Sequence, residues 1–446
     1  MAPRPSRHRL PLALALGVML IALLGGLGPA TAGGTVKTFR PVDKAGKTIA
    51  FKLRGLPPKR VKRASIRLRR NGRTIQRKVG VGRVRRALRR GNRIRLKKSL
   101  RSRGGRLVVR ISNAPTPTPS CTGPFSASNL PGACWRPYSA ASPFNTPLAS
   151  RQAAADSQQV VGRTMGFGTM DKISGGVADT EDDWSHPIYF SRASDPLFTV
   201  HCTYSSSWGA CEVEGASVRI PDAARAAGGG DGHLAVIDQA SGWEYDFWQV
   251  QQKPAGGGTL TVSYGGKTRI DSDGLGSNAT AANFGLAAGV IRPSELEAGR
   301  IEHALFMVVE CTNGTAVWPA PSTGTGRSCS SIGLSNVDAP AMGERFFLDM
   351  DAAQIDALPN PTWQKTILHA MAEYGLYVGD TGGSAWGIAI ESGSSFTSFG
   401  LEDPWARLGR QYGVPTWDGA PDGKRRYIFD LRTAVDWASA LKVAAG

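Results

Sequence analysis

The first 120 residues of this chain contain no cysteine, and residues 34–113 contain a single acidic side chain, that of Asp43. The same segment carries 29 lysines and arginines, so it is strongly cationic. Residues 114–446 instead hold 22 basic and 34 acidic residues, a net charge of −12. The overall charge of +19 is therefore the sum of a strongly positive part and a negative part. A Pro/Thr-rich linker at 114–120 separates the two parts.

Several catalytic signatures are also missing. The sequence has no G-x-S-x-G elbow, no H-E-x-x-H pair, no P-loop and no Rossmann glycine fingerprint. A serine triad would need a nucleophilic serine that no motif in the sequence indicates. We also expect no nucleotide cofactor.

Residues 1–32 have the features of a secretory signal peptide. Three arginines precede an apolar run at 10–27, and an A-x-A cleavage pattern ends at Ala32. An uncleaved membrane anchor is the alternative, and no later segment is apolar enough to span a bilayer. We therefore expect a secreted protein, either released or retained at the cell surface.

The cysteines agree with export. Six are present, an even number, and no C-x-x-C pair suggests metal ligation. Six cysteines allow fifteen connectivities, but their close spacing favours three disulfides, namely Cys121–Cys134, Cys202–Cys211 and Cys311–Cys329.

Residues 33–113 predict a small basic β-sandwich module. Short runs alternate apolar residues with Arg or Lys, as half-buried strands do, and a helix is expected at 84–90. The module resembles the Arg-rich β-modules attached to exported actinobacterial proteins. Such a surface would bind an anionic cell-wall polymer or polysaccharide, whereas an inert spacer with a solvated cationic face is the alternative. Nucleic acid is not an expected partner, because no recognition motif is present.

Residues 121–446 predict a mainly β domain, an antiparallel β-sandwich or jelly roll with a few helices. Ten short runs alternate at period two between turn signals. One helix is expected from a capping box at Ser294 and another at 361–374, ending before Gly375. This domain would be catalytic or carbohydrate-binding.

The most conspicuous stretch is 228–250, which predicts a β-hairpin after a glycine cluster. A two- or four-residue loop pairs Ala235 with Asp246 and Asp238 with Trp243. One face then carries Leu234, Val236 and Phe247 and belongs to a core. The other face gathers polar and aromatic side chains and is expected to line a cleft, its members being His233, Glu244, Asp246 and Trp248.

Glu244 and Asp246 are the first catalytic candidates. Two positions apart on a strand, their carboxyl groups would lie roughly 6.5–7 Å apart on one face. The sequence from Glu244 to Gln249 resembles the E-x-D-x-x-E strand of the laminarinase/agarase-type jelly-roll glycoside hydrolases. In that family the final glutamate is the acid/base, but Gln249 occupies its place here, so a proton donor must come from elsewhere. Surface carboxylates on an exposed strand are the structural alternative.

Further candidates lie outside this pair. Asp231 and His233 could act together in acid/base chemistry, or form a structural polar pair. His303 begins an apolar strand, where a lone histidine is often a satisfied core residue. Asp380 ends a strand beside a glycine loop and is either a functional carboxylate or a turn cap. An acidic cluster could hold a structural Ca²⁺, although a solvated loop is favoured there, with members Asp179, Glu181, Asp182 and Asp183.

The leading interpretation is a secreted glycoside hydrolase acting on a polysaccharide, with no required cofactor. The substrate would contact aromatic and polar side chains, for which the candidates are Trp248, Gln249, Trp184 and Tyr377. A polysaccharide lyase with a His or Tyr base is one alternative, and the absence of arginine near the hairpin argues mildly against it. A non-catalytic carbohydrate-binding or cell-surface protein is another.

A second resemblance extends from Phe144 to Asp380. The motifs D-G-H at 231–233, H-A-L at 303–305 and Y-G-x-x-x-x-D ending at Asp380 resemble those of a family of uncharacterised exported proteins from actinobacteria, myxobacteria and acidobacteria. The resemblance implies export and transfers no residue roles.

The cationic module gives the first testable expectation. Binding of the protein to an immobilised anionic polymer should weaken steeply as salt is raised, because exposed charges are screened within about 10 Å at 0.1 M salt. Retention on the polymer, measured across a salt gradient with residues 121–446 as the control, checks this. Retention that is absent or independent of salt would contradict it.

Overall fold

A computed structural model describes most of the chain in two compact units, Met1–Thr116 and Pro117–Gly446. The division falls inside the segment that the sequence predicts to be a linker. The signal-peptide prediction at 1–32 lies outside the described residues, which are 36–39, 41–43, 48–52, 61–70, 73–89, 93–97, 105–111, 120–170, 172–277, 279–383, 386–417, 419 and 425–445.

The first unit contains the strands that its alternating pattern predicts. The described strands are β1 (Val36–Phe39), β2 (Pro41–Asp43), β3 (Thr48–Lys52), β4 (Val61–Arg70), β5 (Arg73–Val79), β6 (Arg93–Lys97) and β7 (Gly105–Ile111). They form two antiparallel sheets, in the orders β1-β7-β4-β5 and β2-β3-β6. The helix α1 (Val81–Arg89) begins three residues earlier than predicted and buries Val84.

The second unit is also mainly β and sandwich-like, which confirms the predicted fold class. Its described strands form three sheets. The strands are β8 (Ile173–Gly175), β9 (Ile188–Ser191), β10 (Leu197–Cys202), β11 (Ser217–Arg219), β12 (Leu234–Asp238), β13 (Trp243–Gln252), β14 (Gly258–Arg269), β15 (Leu305–Val309), β16 (Arg345–Leu348), β17 (Leu376–Thr381), β18 (Trp386–Ile388), β19 (Thr416–Trp417), β20 (Arg426–Phe429) and β21 (Leu441–Val443). The sheet orders are β11-β10-β14-β13-β12-β9, β18-β15-β17-β16-β21 and β19-β20-β8. Three neighbouring pairs are parallel, namely β10 with β14, β9 with β12 and β15 with β17. Period-two alternation predicts the strands but carries no information about their direction.

The described helices of the second unit are short and lie between the strands along the chain. They are α2 (Ser157–Gly166), α3 (Ser205–Trp208), α4 (Pro293–Ala298), α5 (Ala352–Ala357), α6 (Thr362–Glu373), α7 (Ser394–Thr397), α8 (Pro404–Tyr412) and α9 (Trp437–Ala440). As predicted, α6 ends before Gly375, which has a φ of +74°. The predicted cap of α4 was wrong: the helix begins after Arg292, whose backbone N–H donates to the Glu295 carboxylate at 2.8 Å.

The hairpin of β12 and β13 has the predicted register, with Ala235 opposite Asp246 and Asp238 opposite Trp243. Its two faces enter different cores. Leu234 and Val236 pack into a small core between β10, β13 and β14, whereas Ala235 and Ile237 pack into a large core with β15, β17 and α6. Strand β12 is therefore buried on both sides.

All three predicted disulfides are present, namely Cys121–Cys134, Cys202–Cys211 and Cys311–Cys329. The second closes the loop that contains α3. Among the described residues, no helix has both the length and the apolar character that a bilayer span requires.

The glycine cluster before the hairpin is required by close backbone packing. A Cβ on Gly228 would lie 2.1 Å from the carbonyl oxygen of Thr180, and one on Gly229 would lie 2.8 Å from that of Asp183. The Gly229 N–H donates to the same Asp183 oxygen at 2.9 Å. The cluster thus brings Asp231 and the start of β12 against the segment that leads to β9.

This packing predicts that Gly228→Ala destabilises the protein by roughly 1–3 kcal/mol, because the added methyl group overpacks against a backbone carbonyl. Gly162→Ala is the matched control: it lies in α2, and a Cβ there meets nothing within 4 Å. We expect that substitution to raise the stability by about 0.5–1 kcal/mol. Urea unfolding measures both, and equal effects of the two substitutions would contradict the packing argument.

Candidate functional site

A cavity of about 1290 Å³ opens in the second unit, where strands of all three sheets contribute to its wall. The titratable side chains on its wall that could carry chemistry include His186, Asp231, His233 and Asp380, and Asp182 also lines it but pairs with Arg426. The aromatic side chains on the wall are Trp184, Trp208, Trp248, Tyr264 and Phe306. Lys172 and Arg327 also line it, so the wall carries both signs of charge.

His186 and His233 lie side by side, with ring centroids 4.7 Å apart and the rings edge to face. Only about 5 and 6% of their surfaces are exposed. Burial lowers the pKa of His186 to about 3, helped by the neighbouring His233, and burial lowers the pKa of His233 to about 4. Both imidazoles are therefore neutral at ordinary pH.

Their hydrogen bonds differ. The Nδ1 of His186 lies 2.8 Å from the carbonyl oxygen of Leu286, which only accepts, so this nitrogen carries the proton and Nε2 keeps its lone pair. The Nδ1 of His233 is buried without a hydrogen-bond partner among the described residues. Buried polar atoms are rarely left unpaired, so this nitrogen is suited to pair with a ligand.

Asp231 and Asp380 form the carboxyl pair of the cavity. The Oδ1 of Asp231 accepts a hydrogen bond from the Trp248 indole at 3.1 Å, and Asp380 accepts one from the Thr381 N–H at 2.7 Å. Loss of water contact raises the pKa of Asp380 to about 7, and the negative charge of Asp231 acts in the same direction. At neutral pH the cavity therefore holds a carboxyl group that is protonated about half of the time.

An aromatic wall continues outward from Asp231. Trp208 stacks on Trp248, with centroids 4.7 Å apart and an interplanar angle of 26°, and the ring of Tyr264 meets Trp208 edge on. Trp208 is 54% exposed and lies in the loop closed by Cys202–Cys211. Trp184 is also exposed, and it lies in the segment that packs against the glycine cluster.

Asp183 anchors the segment that carries Trp184 and His186. This carboxylate is fully buried and accepts hydrogen bonds from Ser392 at 2.6 Å, from Ser394 at 3.2 Å and from Ser185. Two other members of the predicted calcium cluster have separate partners: Asp179 pairs with Arg225, and Asp182 with Arg426. Among the described residues, no three His, Cys, Asp or Glu side chains are grouped to hold a metal ion.

Glu244 and Asp246 lie outside the cavity wall. The register places them on one face as predicted, but the part of that face that carries them packs into the interior and both side chains are fully buried. The expected cleft-lining position was therefore wrong for these two residues, because the loop at 285–287 covers them: its N–H groups bind both carboxyl groups.

Three other predicted residues also lie away from the cavity. His303 is buried against Glu295, with its Nε2 3.0 Å from Oε1, and Glu295 also pairs with Arg292. Burial opposes the charge of Glu295, yet the charges of Arg292 and His303 lower its pKa. Tyr377 packs edge on against Phe144, and the Gln249 amide oxygen accepts from Ser263 at 2.7 Å.

The cavity thus brings together Asp231, His233, Asp380, Trp248 and Trp184 from the predicted set. The sequence reasoning missed His186, Trp208 and Tyr264. His186 directly precedes the proline that leads into β9, a strand that the alternating pattern does predict. The available signal was therefore a histidine at the start of a predicted strand.

No protein-family model, curated protein or solved structure matches this chain. The three resemblances described above therefore remain predictions, and the geometry of the site is the basis for a functional proposal.

The burial of His303 predicts a role in stability. Replacing His303 with alanine leaves Glu295 with one partner fewer, and we expect a loss of about 3–5 kcal/mol in the free energy of unfolding. His369→Ala is the matched control, since that histidine contacts Asp356 at the surface and should contribute less than about 1 kcal/mol. Urea unfolding measures both changes. A His303 variant with intact stability but no activity would instead place this residue in the site.

Proposed function

We propose that this protein is an exported glycoside hydrolase that acts on a polysaccharide in the cavity lined by Asp231 and Asp380. The observation that carries the proposal is the presence of two carboxyl groups, Asp231 and Asp380, in an aromatic-walled cavity, with the pKa of Asp380 raised to about 7. A pair of carboxyl groups that flank the scissile bond is the usual requirement for glycosidic bond cleavage.

The acid in this proposal is Asp380. Its pKa of about 7 keeps a large fraction protonated near neutral pH, so it can donate a proton to the leaving glycosidic oxygen. Asp231, held by the indole N–H of Trp248, is the second carboxylate, which activates water or attacks the anomeric carbon. Asp380 thereby supplies the proton donor that Gln249 cannot.

The remaining wall suits a sugar chain. Neutral His186 and His233 offer hydrogen-bonding nitrogens to hydroxyl groups at a fixed protonation state. The faces of Trp184 and Trp208 are exposed, and such aromatic faces pack well against the apolar faces of sugar rings. A wall that extends past the carboxyl pair favours a polymer over a single sugar.

A polysaccharide lyase is a second candidate, favoured by two observations. The buried, unpaired Nδ1 of His233 could remove a proton from carbon, and Lys172 and Arg327 on the wall could neutralise a uronate. The sequence-based argument against a lyase depended on the lack of arginine near the hairpin. Arg327 reaches the cavity from a distant part of the chain but pairs with Glu310 at 2.8 Å, so it weakens that argument only in part.

The hydrolase proposal predicts that Asp380→Asn lowers the cleavage rate by about 10²–10⁴-fold, the range for loss of a general acid. It also predicts that the wild-type rate falls as the pH rises through about 7, because Asp380 then loses its proton. The full chain is incubated with a panel of neutral and anionic polysaccharides, and reducing ends are measured together with the ultraviolet absorbance of unsaturated products.

Asp349→Asn is the control for that experiment. Asp349 pairs with Arg151 at the surface, so this variant loses a carboxylate without touching the cavity and should keep the wild-type rate. New reducing ends without ultraviolet absorbance support hydrolysis. Unsaturated products would identify a lyase, and binding without cleavage would identify a carbohydrate-binding protein.

A further inference from the structure

The buried carboxyl groups of β13 contact a loop that also holds a cavity residue. The Ala287 N–H donates to Oε1 of Glu244 at 2.8 Å, and the Leu286 N–H donates to Oδ2 of Asp246 at 3.2 Å. The carbonyl of the same Leu286 accepts from Nδ1 of His186 at 2.8 Å. One peptide segment therefore connects the carboxyl pair to an imidazole of the cavity.

The loop at 285–287 packs closely against Glu244 and Asp246. A Cβ on Gly285 would lie 2.2 Å from the hydroxyl oxygen of Tyr138 and 3.1 Å from Oε1 of Glu244. That hydroxyl group donates to Oε2 of Glu244 at 2.7 Å, and Ser277 donates to Oδ2 of Asp246 at 2.7 Å. The loop can therefore shift little without breaking a buried hydrogen bond.

The hydrogen bonds also favour a proton on Asp246 rather than on Glu244. Both oxygens of Glu244 accept from donors, as an ionised carboxylate requires. The Oδ1 of Asp246 is buried and has no hydrogen-bond partner among the described residues, whereas its Oδ2 accepts from Ser277 and Leu286. A buried carboxyl oxygen without a donor is the position that favours a proton.

The pKa shifts agree with this assignment. Burial raises the pKa of Glu244 and, more strongly, that of Asp246, which the negative charge of Glu244 raises further. Two ionised carboxylates could not share a site that is fully buried, because each would lose its hydration while repelling the other.

We propose that Glu244 and protonated Asp246 form a positioning pair that fixes the tautomer and orientation of His186 through the loop at 285–287. The N–H groups of the loop are held by the carboxyl pair, and its carbonyl requires the His186 proton on Nδ1, which reserves Nε2 as an acceptor in the cavity. The catalytic importance of this arrangement rests on the proposed function, but the arrangement itself can be tested without a substrate.

The test uses the full chain labelled with ¹⁵N at histidine. The sequence contains six histidines, and the His186 signals are assigned from their loss in His186→Gln. We expect a protonated Nδ1 and an unprotonated Nε2 for His186 in the wild type at neutral pH. A proton on Nε2 would overturn the proposal without any variant.

Two substitutions at the pair should differ in their effects. Asp246→Asn keeps a donor towards Glu244 and an acceptor for Ser277 and Leu286, so the His186 signals should remain native. Glu244→Gln places an amide group where the Tyr138 hydroxyl and the Ala287 N–H both donate, so it should disturb the His186 signals and lower the cleavage rate by about 10- to 100-fold, the range known for outer partners of metal-binding histidines.

Glu295→Gln is the matched control, because it disturbs an equally buried ion pair beside His303 but not the loop. Its His186 signals should stay native. Unchanged His186 signals in Glu244→Gln would show that the pair has only a structural role. Failure to cleave any polysaccharide, with the tautomer and its response as expected, would contradict the proposed function and leave the positioning pair intact.

Discussion

The complete burial of β12 is the constraint on which the rest of the second unit depends. Leu234 and Val236 fill the small core, and Ala235 and Ile237 fill the large core, so no face of this strand is left for solvent. A one-residue change of register would exchange these sets, and the polar residues of β13 would change sides with them. The register of one hairpin therefore decides which core receives Glu244 and Asp246.

The cavity follows from the same constraint at the end of the hairpin. Where β12 begins, the glycine cluster lets the backbone of Thr180–Asp183 approach, and this contact sets Asp231 and His233 beside Trp184 and His186. Asp380 arrives from β17 in another sheet. Of these groups only Asp380 lies on a strand, whereas the others lie in the segments that lead into β9 and β12, so the distance between the carboxyl groups depends on how the glycine cluster packs as well as on the sheets.

Much of this could be predicted from the sequence, for reasons that are local. Alternation predicts strands such as β12 and β13, a short polar turn fixes their register, and nearby cysteines in an oxidising compartment pair with each other. Alternation also says which residues share a face, but not what covers that face. The covering loop at 285–287 lies about 40 residues beyond Asp246, and nothing local links them. His186 was missed for the same reason, since its partners Leu286 and His233 are distant in sequence.

The burial of Glu244 and Asp246 also bears on why such a pair is present at all. Replacing buried ionic or polar groups by well-packed apolar side chains is often neutral or stabilising, so stability alone is a weak reason for their presence. What apolar side chains could not provide is an acceptor for the N–H groups of Leu286 and Ala287. Without those bonds the loop would have no directional tie to β13, and its carbonyl would not be held opposite Nδ1 of His186. A polar pair in this position lowers the stability somewhat but holds the loop in one orientation. That orientation matters for His186, because a neutral histidine has two possible tautomers and its hydrogen bond selects one of them.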